Sequence, residues 1–372
     1  MPHLYVHVPF CQRRCSYCDF SIAVRRRIPA REFVDVILTE AEHAHLGELE
    51  TIYFGGGTPS LLPPAAIAML LAKLLPRTTH HEPRTVVEIT LEANPEDVSP
   101  EHARAWRTAG INRVSLGAQS FDDSVLKWMH RSHDAARIGA AVQALRGAGI
   151  ENISLDLIFG LPEELNRAWE RDLEMAHALR TAHLSVYGLT IEPRTPLDRW
   201  ISRGATHTPS DERYAEEYLA AHRRLHAAGF EFYEVSNASR DGCRSQHNSA
   251  YWSGKPYVGL GPAAHSFDGR TRRWNLRAWE AYRRTVVEGR SAQESEETLT
   301  EAQQVTERLY LGLRTIEGIS AQHLPRLSAQ FRAAEAAGWL YERSGRVKCT
   351  PEGWLRLDSL VNEFTMHTES QP

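Results

Sequence analysis

The feature that most constrains the fold is a repeated alternation of short apolar segments with helical patterns. These segments are rich in β-branched and aromatic residues, and they span residues 3–9, 51–55, 86–92, 113–118, 152–158 and 183–190, with a further candidate at 230–236. Such an alternation is typical of βα units that build a parallel sheet. The sequence therefore predicts an α/β fold, arranged as a closed or partial barrel.

Polar residues stand where several of these strands are predicted to end. The carboxyl ends of the strands form the active-site face of an α/β barrel, so side chains at these positions are expected to meet there. Six successive ends carry such residues, which is more than core packing requires: Cys11, the GGGTPS stretch at 55–60, Glu92 with Asn94, Gln119, Asp156, and Thr190 with Glu192.

Three cysteines lie within eight positions of one another in the stretch FCQRRCSYCDF, as Cys11, Cys15 and Cys18. A structural zinc site usually has four protein ligands in two close pairs, and the other cysteines, Cys243 and Cys349, lie far away without such spacing. A four-iron cluster held by three thiolates would leave one iron open to a small molecule. Zinc and incidental core cysteines remain as weaker alternatives.

The glycine-rich stretch GGGTPS fits neither a dinucleotide fingerprint nor a phosphate loop that ends in Gly-Lys-Ser/Thr. Its exposed backbone could hold an amino group and a carboxylate. The carboxylates Glu92 and Asp156 suit a ribose diol or an ammonium, Gln119 adds an amide, and Arg131 suits a carboxylate. Each of these residues is, taken alone, more often a structural or surface polar residue.

Together these motifs resemble the radical S-adenosylmethionine proteins. The stretches LYVHVPFC, RVSLGAQSF and SLDLIFGLP are most similar to the branch that contains oxygen-independent coproporphyrinogen III oxidase and the HemW heme chaperones. The resemblance covers nearly the whole chain. It implies a partial (β/α)6-type barrel, a [4Fe–4S] cluster whose open iron binds S-adenosylmethionine, and formation of a deoxyadenosyl radical on reduction.

The resemblance also implies a role for individual residues. The cluster ligands would be Cys11, Cys15 and Cys18. The S-adenosylmethionine site would be formed by Tyr5, Gly56, Gly57, Thr58, Glu92, Gln119, Arg131 and Asp156.

Two departures from the oxidases favour the chaperones. The oxidases carry a further cysteine two residues after the third, where this chain has Phe20, and they have a long extension before the cysteine loop, where this chain has ten residues. The segment around His247, Asn248, Tyr251 and Trp252 also matches the HNxxYW motif of the chaperones.

Within that motif, His247, Tyr251 and Trp252 are therefore predicted to contact heme, since imidazole is a good heme ligand and aromatic rings can pack on a porphyrin. The alternative is a hydrogen-bonded structural histidine beside aromatic core residues. His265 and Cys243 are weaker candidates.

The predicted function is thus a heme chaperone that binds heme on a radical S-adenosylmethionine scaffold and delivers it to an acceptor protein. Whether the chain is also an enzyme stays open. The alternative is an oxygen-independent coproporphyrinogen III oxidase, and a third option is another radical reaction on a tetrapyrrole. A flavodoxin or ferredoxin would serve as the reductant.

The last part of the chain differs in character from about residue 295. Helical patterns and a predicted hairpin, WLYERSGRVKCT, suggest a winged-helix-like domain. Its 10 acidic residues against 8 basic ones between 295 and 364 favour docking over DNA binding. We therefore predict a barrel at 1–240, a connecting region at 241–294 and this domain at 295–365, with a disordered tail after about Met366.

Charge and hydropathy exclude several partners. The net charge of −4 gives no bulk attraction for nucleic acid, and no apolar run is long enough for a membrane span. The N-terminus lacks the pattern of a secretory signal, and an odd number of cysteines, three of them clustered, suits a reducing compartment. We therefore expect a cytoplasmic protein.

Overall fold

The structure is a computed structural model that describes residues 1–44, 46–75, 87–240, 242–324 and 329–365. The predicted disordered tail after Met366 and the first residue of the predicted strand 86–92 lie outside these residues. The strands are β1 (His3–Val8), β2 (Phe10–Cys11), β3 (Ala23–Val24), β4 (Thr51–Gly56), β5 (Glu88–Ala93), β6 (Arg113–Gln119), β7 (Asn152–Phe159), β8 (His183–Gly188), β9 (Glu231–Glu234), β10 (Asn237–Ser239), β11 (Tyr257–Leu260), β12 (His265–Phe267), β13 (Thr271–Asn275), β14 (Gln293–Thr298), β15 (Ile319–Ser320), β16 (Leu340–Arg343) and β17 (Arg346–Cys349).

Helices separate most of these strands along the chain. They are α1 (Ala30–His43), α2 (Pro64–Leu74), α3 (Pro100–Ala109), α4 (Asp123–Trp128), α5 (Ala135–Gly147), α6 (Trp169–Ala178), α7 (Pro196–Ser202), α8 (Asp211–Ala227), α9 (Gln246–Trp252), α10 (Trp279–Val287), α11 (Glu301–Arg314), α12 (Ala329–Ala336), α13 (Pro351–Trp354) and α14 (Leu357–Thr365). Short 3₁₀ helices span Pro59–Leu61, Pro95–Asp97, Glu163–Leu165 and Ala321–His323.

The main sheet has the order β14-β13-β12-β11-β1-β4-β5-β6-β7-β8-β10-β9. Its six central strands, β1 and β4 to β8, are parallel, which confirms the predicted partial barrel. Two extensions complete the sheet. On one side, β11 is parallel to β1, and β12, β13 and β14 then follow, each antiparallel to the strand before it. On the other side, β10 is antiparallel to both β8 and β9.

Alternation along β1 shows how the sequence directs its side chains. Leu4, Val6 and Val8 are fully buried in the hydrophobic core, whereas His3, Tyr5 and His7 lie on the opposite face. A strand places successive side chains on opposite faces, so one face packs in the apolar core and the other supplies polar groups to the barrel interior.

Local sequence signals set the ends of several helices. Ser99 caps α3 by accepting a hydrogen bond from the His102 backbone, and Gly110 ends that helix in a left-handed conformation at φ 113°. Thr300 and Gln303 form a capping box at the start of α11. The capping box sets the first residue of α11, the helix that begins the C-terminal part of the chain.

The C-terminal part is joined to the barrel through the end of α11. The Val235 N–H donates to the Arg314 carbonyl at 3.2 Å, and the Ile316 N–H donates to the Tyr233 carbonyl at 3.0 Å. On α11, Leu309 and Leu313 are buried, whereas Val305 is 39% exposed. Helix α14 packs against α11, so the end of the chain is joined to the barrel edge through α11.

The predicted hairpin is present as β16 and β17, which are antiparallel. Ser344 and Gly345 connect them with φ values of 55° and 72°, as a two-residue primed turn requires. The winged-helix-like description and the domain limits at 240 and 294 stay predictions. Strands β11 to β14 belong to the same sheet as the barrel strands. No helix in the described part of the chain is long and apolar enough to cross a membrane.

Candidate functional site

A cavity of about 700 Å³, here called the main cavity, lies at the carboxyl ends of the parallel strands. All six predicted strand ends contribute to its walls, because parallel strands present these ends on one side of the sheet. The predicted site residues along it are Cys11, Cys15, Cys18, Gly56, Gly57, Thr58, Glu92, Gln119, Arg131 and Asp156.

The cysteine loop forms one wall of the main cavity. Strands β2 and β3 close its base by pairing Cys11 with Val24. The Cys11 side chain is buried and lies 3.3 Å from the Thr58 hydroxyl, whereas Cys15 and Cys18 are half-buried. Burial raises the pKa of Cys11 above its usual value and that of Cys18 to about 11. A metal that bound these thiols would have to displace their protons.

The glycine loop packs directly against the cysteine loop. A Cβ atom at Gly57 would lie 2.8 Å from the Phe10 carbonyl oxygen and 3.0 Å from the Cys11 sulfur. Gly56 has φ 114°, and a Cβ atom there would meet the His7 ring at 2.7 Å. Both glycines are thus required by close approach, and they leave backbone groups facing the cavity.

Two carboxylates face the main cavity from β5 and β7, on either side of β6. Glu92 accepts hydrogen bonds from the Tyr53 hydroxyl at 2.9 Å and from the Gly56 N–H at 3.1 Å. Burial raises the pKa of Glu92 to about 7, and the nearby Asp156 adds to the rise. The pKa of Asp156 is likewise raised by burial.

Asp156 is held by hydroxyl groups of the sheet. The Ser115 hydroxyl donates to it at 3.0 Å, and the Ser154 hydroxyl donates at 3.3 Å. Two half-buried carboxyl groups at the cavity wall suit a ligand with hydroxyl or ammonium donors, since a carboxylate removed from water is stable only when donors surround it.

Arg131 connects the strand ends with the cysteine loop. Its guanidinium donates to the Asn94 side chain at 2.5 Å and to the Gly117 carbonyl at 2.9 Å, and it approaches the Cys15 sulfur at 3.6 Å. Burial opposes its charge, but the neighbouring Tyr17 and Cys15 raise the pKa of Arg131 above its usual value. Its Nε atom is buried and has no hydrogen-bond partner among the described residues.

Gln119 adopts a left-handed backbone conformation, with φ 66°, at the end of β6. The register of β6 against β7 shifts between Leu116 and Gln119. Irregular backbone of this kind re-aims a side chain at a strand end, and here Gln119 lines the main cavity.

Four of the predicted site residues lie elsewhere. A second cavity of about 430 Å³, here called the side groove, has a lining that includes Tyr5, Tyr251, Trp252, Tyr257, His265 and Arg272. No residue lines both cavities in the described part of the chain. The Tyr5 hydroxyl bonds to His7 at 3.2 Å and its ring stacks near Tyr53, and its place in the S-adenosylmethionine site stays a prediction.

His247 lies behind the side groove and is fully buried. Its Nδ1 atom bonds to the Thr51 hydroxyl at 2.7 Å, and its Nε2 atom bonds to the Tyr251 hydroxyl at 2.8 Å. Burial lowers the pKa of His247 to about 3, so the ring is neutral. Both ring nitrogens have protein partners, and the predicted heme contact of His247 stays a prediction.

Sequence reasoning missed several residues of the main cavity. Tyr53 and Ser115 position the two carboxylates, and alternation along their strands would have identified both as inward-facing. Arg314 also lines the cavity, although it comes from α11. It pairs with the buried Glu234 at 2.8 Å and lies over the Trp252 ring at 4.1 Å.

The three thiols are the donor set that a four-iron cluster takes from a protein. No three side chains among the described histidines, cysteines and carboxylates are arranged around one metal ion. A cluster does not need that arrangement, because each thiolate binds a different iron. The adjacent cavity, glycine backbone and partly unpaired Arg131 leave room for a small ligand beside these thiols.

Comparisons with known proteins extend these observations. The Radical SAM superfamily profile matches residues 5–176. The chain is 35% identical to the heme chaperone HemW of Bacillus subtilis strain 168 over 325 residues, which cover 86% of this chain and 85% of that protein. It is also 35% identical to HemW of Mycobacterium tuberculosis strain H37Rv over 370 residues, which cover 96% and 93%. The chain belongs to the HemW family.

Members of the HemW family are radical S-adenosylmethionine proteins, so a [4Fe–4S] cluster and S-adenosylmethionine are the cofactors of this chain. The structure also resembles the Escherichia coli coproporphyrinogen III oxidase HemN, with a TM-score of 0.80 over 98% of this chain and 90% of the oxidase. At 21% identity that likeness shows a shared fold.

Proposed function

We propose that Cys11, Cys15 and Cys18 hold the [4Fe–4S] cluster in the main cavity. Three observations support this proposal. The cysteines share one wall of the main cavity, Thr58 and Gly57 pack closely on Cys11, and Arg131 contacts Cys15. When bound, the cluster supplies an electron for cleavage of the sulfonium. The protein positions this centre and shields it.

The remaining main-cavity residues are proposed to bind S-adenosylmethionine. Gly56, Gly57 and Thr58 line the main cavity beside the cysteine loop, and Arg131 provides a cation for the carboxylate. Glu92, Asp156 and Gln119 provide acceptors for its ammonium and ribose hydroxyl groups. Tyr5 would support the glycine loop from behind, since its ring packs against Gly55.

The chain itself is proposed to be a heme chaperone, which binds heme and passes it to an acceptor protein. The observation that carries this proposal is similarity over most of the chain to proteins named as heme chaperones, at 35% identity. Phe20 supports it, because the position that would carry the oxidases' additional cysteine holds an exposed phenylalanine at the edge of the main cavity. A flavodoxin or ferredoxin would supply electrons.

The HNxxYW segment is proposed to contribute to heme binding. It forms α9, and two of its aromatic side chains, Tyr251 and Trp252, line the side groove. His247 would act here through Tyr251, since it bonds to that hydroxyl.

The five unpaired cysteines suit a protein of the cytoplasm, where thiols stay reduced.

Two assays on the anaerobically reconstituted protein test this function. Heme should give a saturable Soret change, and the heme-loaded protein should transfer heme to an apo-acceptor such as apomyoglobin. Coproporphyrinogen III with reductant and S-adenosylmethionine should give no protoporphyrinogen. Turnover of coproporphyrinogen without heme binding would contradict the proposed function.

A further inference from the structure

The side groove has a floor whose composition follows from strand register. Tyr257 on β11 lies opposite Phe267 on β12, and Phe267 lies opposite Arg272 on β13. His265 lies opposite Trp274 by the same pairing. Directly opposed residues share a face, and residues two apart share it as well. The antiparallel extension therefore presents aromatic rings, an imidazole and a guanidinium on one surface.

A second element completes the groove over this surface. Helix α9 contributes Tyr251 and Trp252, and the Tyr251 ring meets Tyr257 edge to face at 4.6 Å. The indole Nε1 atom of Trp252 is buried and has no hydrogen-bond partner in the described stretches. Aromatic walls around a flat space suit a planar apolar ring system with polar edges.

Two histidines, His7 and His265, line this space, and a third, His247, lies behind it. His7 bonds to the Tyr5 hydroxyl at 3.2 Å and to the Ser21 carbonyl at 3.1 Å. His247 is held by Thr51 and Tyr251. Neither ring offers a free nitrogen without loss of a hydrogen bond.

His265 is different from both. Its ring is exposed and stacks on Trp274 with centroids 5.7 Å apart, and neither ring nitrogen has a hydrogen-bond partner among the described residues. Partial burial, with Arg272 and Arg277 nearby, lowers the pKa of His265. The neutral imidazole with a free nitrogen is the form that binds heme iron.

Charged groups at the rim match the edges of a heme. Lys255, Arg272 and the carboxylate Glu307 border the groove, so Lys255 is the cation available to a propionate. Lys255 is half exposed and makes a loose pair with Glu50 at 3.7 Å, whereas Arg272 pairs with Glu307. A propionate could replace Glu50 at Lys255 with little cost, since exposed ion pairs contribute little.

We propose that heme binds in the side groove with His265 as its axial ligand, Tyr251 and Trp252 against its face, and Lys255 beside a propionate. This assignment rests on the proposed chaperone function. Because no residue lines both cavities in the described part of the chain, the cargo would not displace S-adenosylmethionine.

Heme titration of the full chain, followed by absorption and EPR, tests the assignment. His265→Ala should weaken heme binding at least ten-fold and remove the spectrum of histidine-ligated heme, and added imidazole should restore that spectrum. His226→Ala, which removes an exposed histidine of α8, should bind as the wild type does. Lys255→Ala should weaken binding about three-fold and leave the ligand spectrum unchanged.

The outcomes separate two failures. If wild-type protein binds no heme, the chaperone function itself fails. If wild-type protein binds heme and His265→Ala gives the same affinity and spectrum, the function stands and the axial assignment is overturned. The axial assignment is also overturned if His247→Ala, and not His265→Ala, removes the histidine-ligated spectrum while the circular dichroism of the His247→Ala variant stays native.

Discussion

The main cavity takes its side chains from the ends of parallel strands, whereas the side groove lies on the antiparallel extension of the same sheet. In the main cavity Glu92, Asp156 and Arg131 are half-buried and bonded to neighbours. In the side groove His265 and Lys255 are exposed or nearly so.

Because of that difference, the two regions suit different kinds of ligand. Groups fixed in advance by hydrogen bonds hold a ligand in one geometry, which a resident cofactor needs. A site that keeps its ligating and charged groups near the surface lets a bound molecule reach a partner. The main cavity is thus suited to retain its cofactors, and the side groove is suited to release its cargo.

The largest expected effect comes from the cysteine loop. Cys15→Ala should reduce the iron of the reconstituted protein from about four per chain to almost none, because a cluster seldom survives with two thiolates. Heme affinity should remain within about two-fold, since none of the described residues lines both the side groove and the main cavity. Iron and sulfide assays with a heme titration measure both.

Cys243→Ala is the matched control for that experiment. Cys243 is half-buried and lines neither cavity, so its loss should leave iron content unchanged. If Cys15→Ala also abolished heme binding in natively folded protein, the two regions would not be independent.

Arg314→Ala should have the next largest effect, because this side chain touches both regions. It would leave the buried Glu234 without its cation and expose one face of Trp252. We expect the free energy of unfolding to fall by about 3 kcal/mol. Urea unfolding measures this change. A variant as stable as the wild type would show that the Arg314 ion pair does not hold α11 to the barrel.

Gly57→Ala should destabilise the contact between the glycine and cysteine loops. The added methyl group would overlap the Phe10 carbonyl oxygen, which is backbone and cannot move aside alone. A loss of about 2 kcal/mol of stability is expected, together with lower cluster retention. Gly147→Ala is the control, since nothing lies within 4 Å of its Cβ position in α5. Equal stability of the two variants would contradict the close packing.

Arg131→Lys should weaken S-adenosylmethionine binding about ten-fold, since a lysine cannot reproduce the forked contacts with Asn94 and Gly117. Equilibrium binding to the reconstituted protein measures this loss. Arg137→Lys changes an arginine that bonds to backbone carbonyls and lies outside both cavities, and it should retain wild-type affinity. Equal losses in both variants would remove Arg131 from the site.

The smallest effect is expected at Phe20. Because this side chain is 59% exposed, Phe20→Cys should change the free energy of unfolding by less than about 0.5 kcal/mol. Iron content should stay at the wild-type value and coproporphyrinogen turnover should remain absent. Gain of turnover in this variant would mean that the single position separates oxidase from chaperone.

The sequence predicted the main cavity well because its determinants are local. Cys11, Gly56, Glu92 and Asp156 stand at or near strand ends, and parallel strands bring such ends together whatever the helices between them do. The six parallel strands themselves followed from β-branched apolar segments. The segment at 230–236 was harder, since β9 pairs antiparallel with β10 instead of continuing the barrel.

The HNxxYW motif predicted Tyr251 and Trp252 as heme contacts, but the rest of the side groove could not be predicted in the same way, because its determinants are not local. Tyr5 carries no local signal that directs it toward the groove rather than the main cavity. His265 becomes a neighbour of Arg272 and Tyr251 only through the register of β12 with β13 and the position of α9. Arg314 reaches the main cavity from α11, which lies far along the chain from the glycine loop and carries no recognisable motif, so only the fold reveals it.

Competition between the two ligands tests the central claim most directly, because that claim is the separation of the cluster site from the heme site. Heme should be titrated into anaerobically reconstituted protein with and without saturating S-adenosylmethionine, and followed by the Soret band. The predicted result is one heme per chain with the same dissociation constant, within about two-fold, in both titrations. A dissociation constant that rises in proportion to the S-adenosylmethionine concentration would contradict the account, because the two ligands would then share one site.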